Sequence, residues 1–577
     1  MKKIICIDCE TDGLDVNTCN LAGVAISIEK NQGWYVPLEK KNKVGSDAIS
    51  FLKDLLGNPQ LIVVGHNLKF DLQVLKNHGI QVNGEIHDTM VMDYVLSPQR
   101  KKHGLKLLSK IHLNYDQLSF DKMMGNHGSI WEVPIKTLTK YACEDTDQTL
   151  QIFHHLNPRI QESGVGNIYD LDRKLVAVLA RMESNGVAID QKLLKSIAKK
   201  LQDDSLVLEE SIIGDLIPEI NLNSTKDINW LLFEHYAIPP IGKKTKQGNY
   251  SVSKKVLSKL SADHLIVKEL LELRATKKVL STFIPALSNL NPLTNKLHCS
   301  INQTVTETGR LSCSKPNLQN IPSRTIGKML RQCFVPSSKD HVLIGADYSN
   351  IELRVMAVLS QDKNLLNAYK NGIDVHRLTA CKLLGIKNIE DVDDMQRDVA
   401  KSLNFGLIYG MGAHGLAETL SNVTKKQHTP QQAQEIIDSY FANYTDVAKC
   451  KENLIYQATV KGYTETLFGR KRPIPDINSN DSIKRQMSKR LAMNTPIQGT
   501  AADIMRMAMV NIDQQLTKQK LKSKMILTVH DELLFDVPKH EITIMEELVR
   551  HEMENAAQIG IALEVDLKTG NNWAEVH

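Results

Sequence analysis

Near the N-terminus, apolar runs repeatedly give way to acids. KKIICIDCETDGL predicts a short strand that places Asp8 and Glu10 two apart, hence on one face at its end. LIVVGHNLKFDLQVL predicts a strand over 61–64, a break at Gly65 and a helix carrying Asp71, with Asn67 near its start. In LTKYACEDTDQTL, Tyr141 and Asp145 stand one helical turn apart. Long helical patterns follow, among them LDRKLVAVLARMESNGVAID, which ends at a glycine suited to a helix C-terminus, so the stretch to about 300 should be mostly α. Farther on, HVLIGADYSNIELRV reads as a strand over 342–344 delivering Asp347, with a helix starting at 351. MILTVHDELLFDV reads as a hairpin whose acidic tip is His530, Asp531 and Glu532.

Between these two lies RDVAKSLNFGLIYG, in which Arg397, Lys401, Phe405 and Tyr409 recur at a spacing of four. On a helix they form one stripe of two cations followed by two aromatics. Paired cations neutralise a polyphosphate, and a flat ring one turn further stacks on a base or packs on a sugar. An amphipathic helix with aromatics in the core and cations in water would show the same spacing, and the stripe alone does not separate the two.

Composition narrows the field. A chain of 577 residues holds about three or four domain-sized units, and ESGVGN around 163–167 is a plausible boundary. The 71 basic and 66 acidic residues leave a net charge of +5, too slight to argue for nucleic acid, so any basic surface must be local. One such patch holds Lys243, Lys244, Lys246, Lys254, Lys255 and Lys259 with no acid among them, either a solvated loop and helix face or a clamp on duplex phosphates. QTVTETGRLSCSKPNLQNIPSR is polar and broken by prolines, which suits contacts to sugars, base edges and phosphates better than a core. No apolar run approaches the ~18 residues of a membrane span, and the start meets acid before a signal core can form, so a soluble cytoplasmic protein is expected. Cys6 and Cys9 spell C-x-x-C, but on a strand they face opposite sides, and all nine cysteines read as reduced thiols.

Crowded carboxylates repel one another unless cations sit between them, and oxygen ligands of this kind suit Mg²⁺ or Mn²⁺. Two such ions ~4 Å apart activate a water and hold the leaving oxygen in phosphodiester hydrolysis. The order D-x-E, N-x-x-x-D, Y-x-x-x-D in an αβ setting resembles the 3′→5′ exonuclease domain attached to DNA polymerases. That resemblance implies that Asp8, Glu10, Asp71 and Asp145 bind metal and that Tyr141 orients the attacking water.

TGRLS, PNLQNIP, DYSNIELR, the 397–410 stripe, NTPIQGTAAD and VHDE follow in one order, and together they resemble the family A DNA polymerases over the large-fragment portion of the bacterial enzymes. The resemblance implies that Asp347 and Asp531 are the metal-binding catalytic pair, with Glu532 beside them and the Tyr348 backbone assisting. Arg397 and Lys401 would hold the triphosphate, Lys401 also protonating pyrophosphate. Glu352 would crowd the ribose 2′ position, and Phe405 in place of a tyrosine implies discrimination against dideoxynucleotides. Tyr409 would lie against the template base. Arg310, Asn494, Gln498 and His530 would face the primer terminus or nascent pair, with Asn317, Gln319, Asn320, Arg490 and the lysines 243, 244 and 246 as further DNA contacts. Gly410, Gly412 and Gly415 spell G-x-G-x-x-G but follow a helix, so no dinucleotide fold is read there.

The fold class implied is multidomain α/β and α+β: a ribonuclease-H-like exonuclease domain over 1–160, then a right-hand polymerase. Its thumb would span 165–300, its palm 301–360 and 485–577, and its fingers 361–484. The function expected is primer extension with dNTPs by two-metal phosphoryl transfer, with proofreading and two Mg²⁺ at each site, Mn²⁺ substituting. The chain begins at the exonuclease strand, so no 5′ nuclease domain is expected, and its partners would be primed DNA, dNTPs and other replication or repair proteins, a separate 5′ nuclease among them. A monomer is expected. A single-subunit RNA polymerase, a noncatalytic DNA-binding relative and a nuclease alone are the rival readings.

Overall fold

The computed structural model describes residues 2–38, 43–214, 220–322, 326–424 and 426–577, without the side chains of 43–46. Its N-terminal part is built on a five-stranded sheet. The strands are β1 (Lys3–Thr11), β2 (Leu21–Ser27), β3 (Trp34–Pro37), β4 (Leu61–Gly65) and β5 (Glu85–Asp88), in the order β3-β2-β1-β4-β5. β1 is central, antiparallel to β2 and parallel to β4. Cys6 joins one apolar cluster with Val64 and Phe153, whereas Ile5, Ile7 and Cys9 join another with Leu52 and Val63. The two cysteines therefore face opposite sides of the sheet, as their spacing predicts, and all nine cysteines are free.

Helices α1 (Leu68–Asn77), α2 (Thr89–Leu96) and α3 (Ile135–Glu162) cover this sheet. Asn67 occupies the cap position of α1 at φ 58°, yet its side chain caps nothing. Asp88 takes that role. It accepts the N–H groups of Asn67 (3.2 Å) and Leu68 (2.8 Å) at α1 and of Met90 (2.8 Å) and Val91 (3.4 Å) at α2. Each cap is worth ~1 kcal/mol, so one buried carboxylate at the end of β5 fixes two helices, including the one that carries Asp71.

The chain breaks at Ser163 and Gly164 and enters α4 (Gly166–Asn185), which packs on α1. It ends, as expected, at a glycine: Gly186 has φ 59°, and a Cβ there would meet the His298 ring at 2.6 Å. The next stretch is mainly helical, with α5 (Gln191–Ile213), α6 (Lys254–Leu260) and α7 (Leu265–Lys278) sharing a core of Ile212, Leu257 and Leu270.

A second sheet follows. β6 (His341–Tyr348) leads into α8 (Ile351–Ser360), and after the helices α9 (Val375–Leu384), α10 (Asp394–Ile408), α11 (Ala413–Thr424), α12 (Thr445–Lys461) and α13 (Ser482–Lys518) come β7 (Lys524–Val529), β8 (Glu532–Pro538) and β9 (Val565–Gly570). The sheet is antiparallel throughout, in the order β7-β8-β6-β9. The strand at 342–344, the helix from 351 and the hairpin with its acidic turn are all where the sequence places them.

α13 runs 37 residues through Pro496, which has no N–H for the carbonyl of Ala492. Thr464 Oγ1 donates to that carbonyl at 3.2 Å, so the helix continues without an orphan acceptor. At Gly499 a Cβ would meet Thr466 Cγ2 at 2.6 Å and Thr308 O at 3.0 Å, so the glycine lets the 308 loop lie on the helix.

Under that loop lies a buried ionic network. Arg470 makes two 2.9 Å bonds to Asp172 of α4 and one of 2.7 Å to Asp503 of α13. Arg506, also of α13, bonds Asp172 at 2.5 Å and the carbonyl of Gly309 at 2.9 and 2.5 Å. Burial pushes the Asp172 carboxyl up, but the two guanidiniums outweigh it and hold it below the usual range. Removing one member of such a set strands the others: Asp172→Ala should lower unfolding stability by ~3–5 kcal/mol, read from calorimetric or urea transitions. Transitions that match the wild type would mean that the network holds nothing together.

Candidate functional site

Two acidic clusters stand apart in the molecule. In the first, β1 supplies Asp8 and Glu10, α1 supplies Asp71 from its first turn, and α3 supplies Tyr141 and Asp145. Asp71 accepts the Cys9 N–H at 2.8 Å, between the two β1 acids. Tyr141 stands beside the Asp145 carboxylate, which accepts from Gln117 Nε2 at 3.1 Å. Burial, then repulsion from Asp145 and Asp71, pushes Glu10 up to about 8. Burial likewise carries Asp71 and Asp145 to about 7, and burial with Asp71, Glu10 and Asp145 raises Asp8 well above its ordinary value. All five residues predicted for this site are thus brought together.

Among the described residues no group of three or more His, Cys, Asp or Glu side chains is closed around a position for a metal. The donor set nonetheless fits a divalent ion. Its members are hard oxygen ligands that repel one another, Lys106 is the cation that eases that repulsion at Glu10 and Asp145, and Glu10 Oε1 is buried without a hydrogen bond among the described residues.

The second cluster sits on the antiparallel sheet. Asp347, next to last in β6, lies opposite Glu532 of β8, and Asp531 lies in the two-residue turn between β7 and β8, its carbonyl taking the Tyr348 N–H at 3.2 Å. His530 holds that turn at φ 57°, a left-handed conformation that costs a non-glycine residue ~1–2 kcal/mol. Burial, then Asp531 and Glu532, pushes Asp347 up to about 7; burial also raises Asp531, against its own N–H, His530 and Arg310. Asp347, Asp531 and His530 line a cavity of about 360 Å³ together with Gln319 and Asn320. Glu532, expected beside the two aspartates, is buried and lines the same cavity, with Trp573 Nε1 (2.9 Å) and His577 Nδ1 (3.1 Å) bonded to its oxygens.

Around this cluster stand the other predicted residues. Glu352, buried in the first turn of α8, is paired with the Arg310 guanidinium. Arg397, Lys401 and Phe405 do form a stripe on α10, and Tyr409 is the residue that ends it. Arg397 is paired with Asp374 at 2.7 Å, Lys401 is exposed, and Phe405 packs 5.8 Å from the His376 ring. Asn494 Nδ2 donates to the Tyr409 carbonyl at 3.3 Å and its Oδ1 is buried without a partner. Arg490 is exposed one turn earlier on α13 and Gln498 is half-buried one turn later. Asn317 caps a short turn through the Gln319 N–H at 3.1 Å, and Gln319 Nε2 reaches the Thr528 carbonyl at 3.2 Å. Ser323 and Arg324, the end of the polar stretch, lie outside the described residues.

The lysine patch is partly engaged. Lys243, Lys244 and Lys246 are exposed ahead of α6, but Lys255 and Lys259 reach Glu418 of α11 at 3.2 and 3.6 Å. The segment has no acid of its own, and a distant helix supplies one.

The family model described as DNA polymerase family A matches residues 191–575, and one described as 3′-5′ exonuclease matches 1–161. The chain belongs to DNA polymerase family A.

Its order is an exonuclease domain followed by the family A polymerase domain. It is 37% identical over 591 residues to DNA polymerase I of Pseudomonas aeruginosa, covering all of this chain and 64% of that protein. It is 39% identical over 495 residues to DNA polymerase I of Caldicellulosiruptor bescii, covering 85% of this chain and 55% of that one. The chain thus spans less than two thirds of these relatives' length. Among solved structures, the POL domain of Pol1 from M. smegmatis, in complex with DNA primer-template and dNTP, superimposes with a TM-score of 0.87 at 29% identity, over 99% of this chain and 96% of that one.

Two neighbours of the predicted residues escaped sequence reasoning. Lys106 faces Glu10 and Asp145, but a single lysine between glycine and leucines carries no signal. Asp374 had one: an acid just ahead of an apolar-periodic segment is a helix cap, and it accepts the N–H groups of His376 and Arg377.

Because these carboxylates titrate higher folded than unfolded, they bind more protons in the native state between about pH 4 and 8, and their contribution to stability falls as pH rises through that window. Without divalent ions the melting temperature should drop from pH 5 to 8, and added Mg²⁺ or Mn²⁺ should restore it with release of protons. A melting temperature that rises over this range, or ions that bind without proton release at pH 7, would contradict the repulsive arrangement.

Proposed function

We propose that this chain is a DNA-templated DNA polymerase that extends a primer 3′ end with dNTPs and trims mispaired ends with its exonuclease domain. The observation that carries this reading is that Asp347 of β6 and Asp531 of the adjoining hairpin turn open onto one cavity, while a separate set of four acids crowds at β1. In the division proposed, 165–300 is a thumb, 301–360 and 485–577 a palm, and 361–484 the fingers.

Asp347 and Asp531, with the Tyr348 backbone, would hold two Mg²⁺ at the polymerase centre, and Asp8, Glu10, Asp71 and Asp145 two more at the exonuclease. When bound, such ions lower the pKa of the attacking oxygen and stabilise the leaving one. The protein's own residues do the rest. Arg397 exchanges Asp374 for phosphate oxygens, and Lys401, already in solvent, follows and donates a proton to departing pyrophosphate. Glu352, buried and tied to Arg310, is a fixed wall against a 2′-hydroxyl, and Phe405 offers the sugar an edge without a hydroxyl. Tyr409, Asn494, Gln498, Arg490 and His530 flank the position of the nascent pair. At the other site Tyr141, beside Asp145, orients the attacking water.

A cavity of about 800 Å³ supports the link between the two activities. Leu14, Asn67 and Phe70 line it from one side and Ser300, Asn302 and Lys315 from the other, room for a frayed single strand. No helix among the described residues is long and apolar enough to cross a membrane. Action in the cytosol completes the proposal.

One assay tests both centres. On primed DNA, Asp347→Asn or Asp531→Asn should reduce extension by ~10³-fold or more while DNA binding persists, and Asp8→Ala with Glu10→Ala should end 3′ trimming but spare extension. Equal use of ribo- and deoxynucleotides would favour an RNA polymerase instead. Replacing Lys243, Lys244 and Lys246 with Ala should reduce the slope of log Kd against log salt by ~1 for each phosphate no longer neutralised, with trimming of single strands unchanged. An unaltered slope would remove these lysines from the DNA path.

A further inference from the structure

Lys451 of α12 is a half-buried cation that no acid pairs with among the described residues. Its Nζ donates to the Leu407 carbonyl in the last turn of α10 at 2.7 Å and lies 4.8 Å from the centre of the Phe441 ring. Burial alone pushes its ammonium down to about 8. An apolar side chain of similar length would fill this space at no desolvation cost, so the charge needs a reason. The local field offers one. Carbonyls accumulate partial negative charge at a helix C-terminus, and Leu407 O, shared with the Gly410 N–H at 3.1 Å, is among those that α10 leaves open as the chain turns at Gly410 with φ 75°. The ring face of Phe441 adds a second favourable contact.

The two ends of α10 are held very differently. Its C-terminal end is tied to α12 through Lys451 and to α13 through the Asn494 bond to Tyr409. Its N-terminal end carries Arg397 and Lys401, and the stripe is held there by the partly exposed Arg397–Asp374 pair. We infer that Lys451 is a positioning residue that anchors the C-terminal end of α10 as a pivot, so that dNTP binding swings the Arg397 end. This rests on the polymerase reading above.

The test uses the full chain with Lys451→Met, which keeps length and loses the donor, and Lys451→Arg, which keeps charge. Single-nucleotide incorporation on a primed template gives KM and kcat for the matched dNTP, with DNA binding by anisotropy and single-strand trimming measured alongside. The Met variant should raise the dNTP KM by ~5-fold or more, the loss expected of a charge-assisted bond to a helix C-terminus, and leave DNA binding and trimming unchanged. The Arg variant should restore KM. Above about pH 8 the wild-type KM should climb while that of the Arg variant does not. A Met variant with wild-type KM overturns the inference, as does one in which KM, DNA binding and trimming fail together, or an Arg variant as impaired as Met. Absence of extension by the wild-type chain overturns the polymerase reading itself; wild-type extension with unchanged Met-variant kinetics overturns this inference alone.

Discussion

The pairing of Asp172 with Arg470 and Arg506 is the constraint from which the geometry around the second acidic cluster descends. Asp172 belongs to the helix that packs on the N-terminal unit, Arg506 and Asp503 to the long helix behind the second sheet, and Arg470 to the connection between helices α12 and α13. Arg506 then takes the carbonyl of Gly309, whose φ of 87° turns the chain so that the next residue, Arg310, meets Glu352. Two anions and two cations buried together, each with its bonds made, gain less free energy than an apolar cluster would but admit few arrangements. Four distant segments are therefore held in one register, and Arg310 inherits that register.

What this rigidity supports is electrostatic opposition. At β1 four acids are packed where burial alone would neutralise some of them, and at β6 Asp347 meets Asp531 and Glu532. Each site is a place where the fold gives up stability for charge density, and each is built on the middle of a sheet, where ladders on both sides resist relaxation. The hairpin turn adds strain, because His530 adopts a left-handed φ to present Asp531. Glu532 shows how fine the division is. One residue beyond Asp531, it begins the next strand and still lines the cavity, but the Trp573 N–H and His577 bond its oxygens.

Much of this was legible in the chain because period carries geometry. Two-residue spacing put Asp8 and Glu10 on one face, a four-residue spacing put Tyr141 over Asp145 and built the 397–409 stripe, and apolar runs around HDE made the hairpin. What period cannot convey is which distant group meets a given side chain. Asn67 had the residue type and position of a cap, but in its left-handed conformation the side chain turns away and Asp88, arriving on a neighbouring strand, serves two helices at once. The lysines at 255 and 259 looked free because no acid lay near them in sequence, and Glu418 reaches them from more than 150 residues away. Lys451 carried no local pattern at all. Its meaning lies in the carbonyl it meets.

The unequal fastening of α10 has a consequence for how a nucleotide could be selected. A partly exposed pair such as Arg397–Asp374 is worth ~0–1 kcal/mol, so a polyphosphate with several charges displaces the carboxylate readily. Midway along the helix, Asn404 is buried and bonded to His376 at 3.0 Å, and His376 to Asn350 at 3.1 Å. Burial holds that imidazole near 4, so it is neutral at physiological pH and adds no charge to compete with Arg397. The helix is thus loosely tied where phosphate would bind, guided by a neutral polar chain at its middle and fixed where the base pair would be judged. A ligand that offers phosphates without a fitting base pair can loosen the first attachment but gains nothing at the last. Discrimination therefore has its physical basis in which end of one helix is free to move.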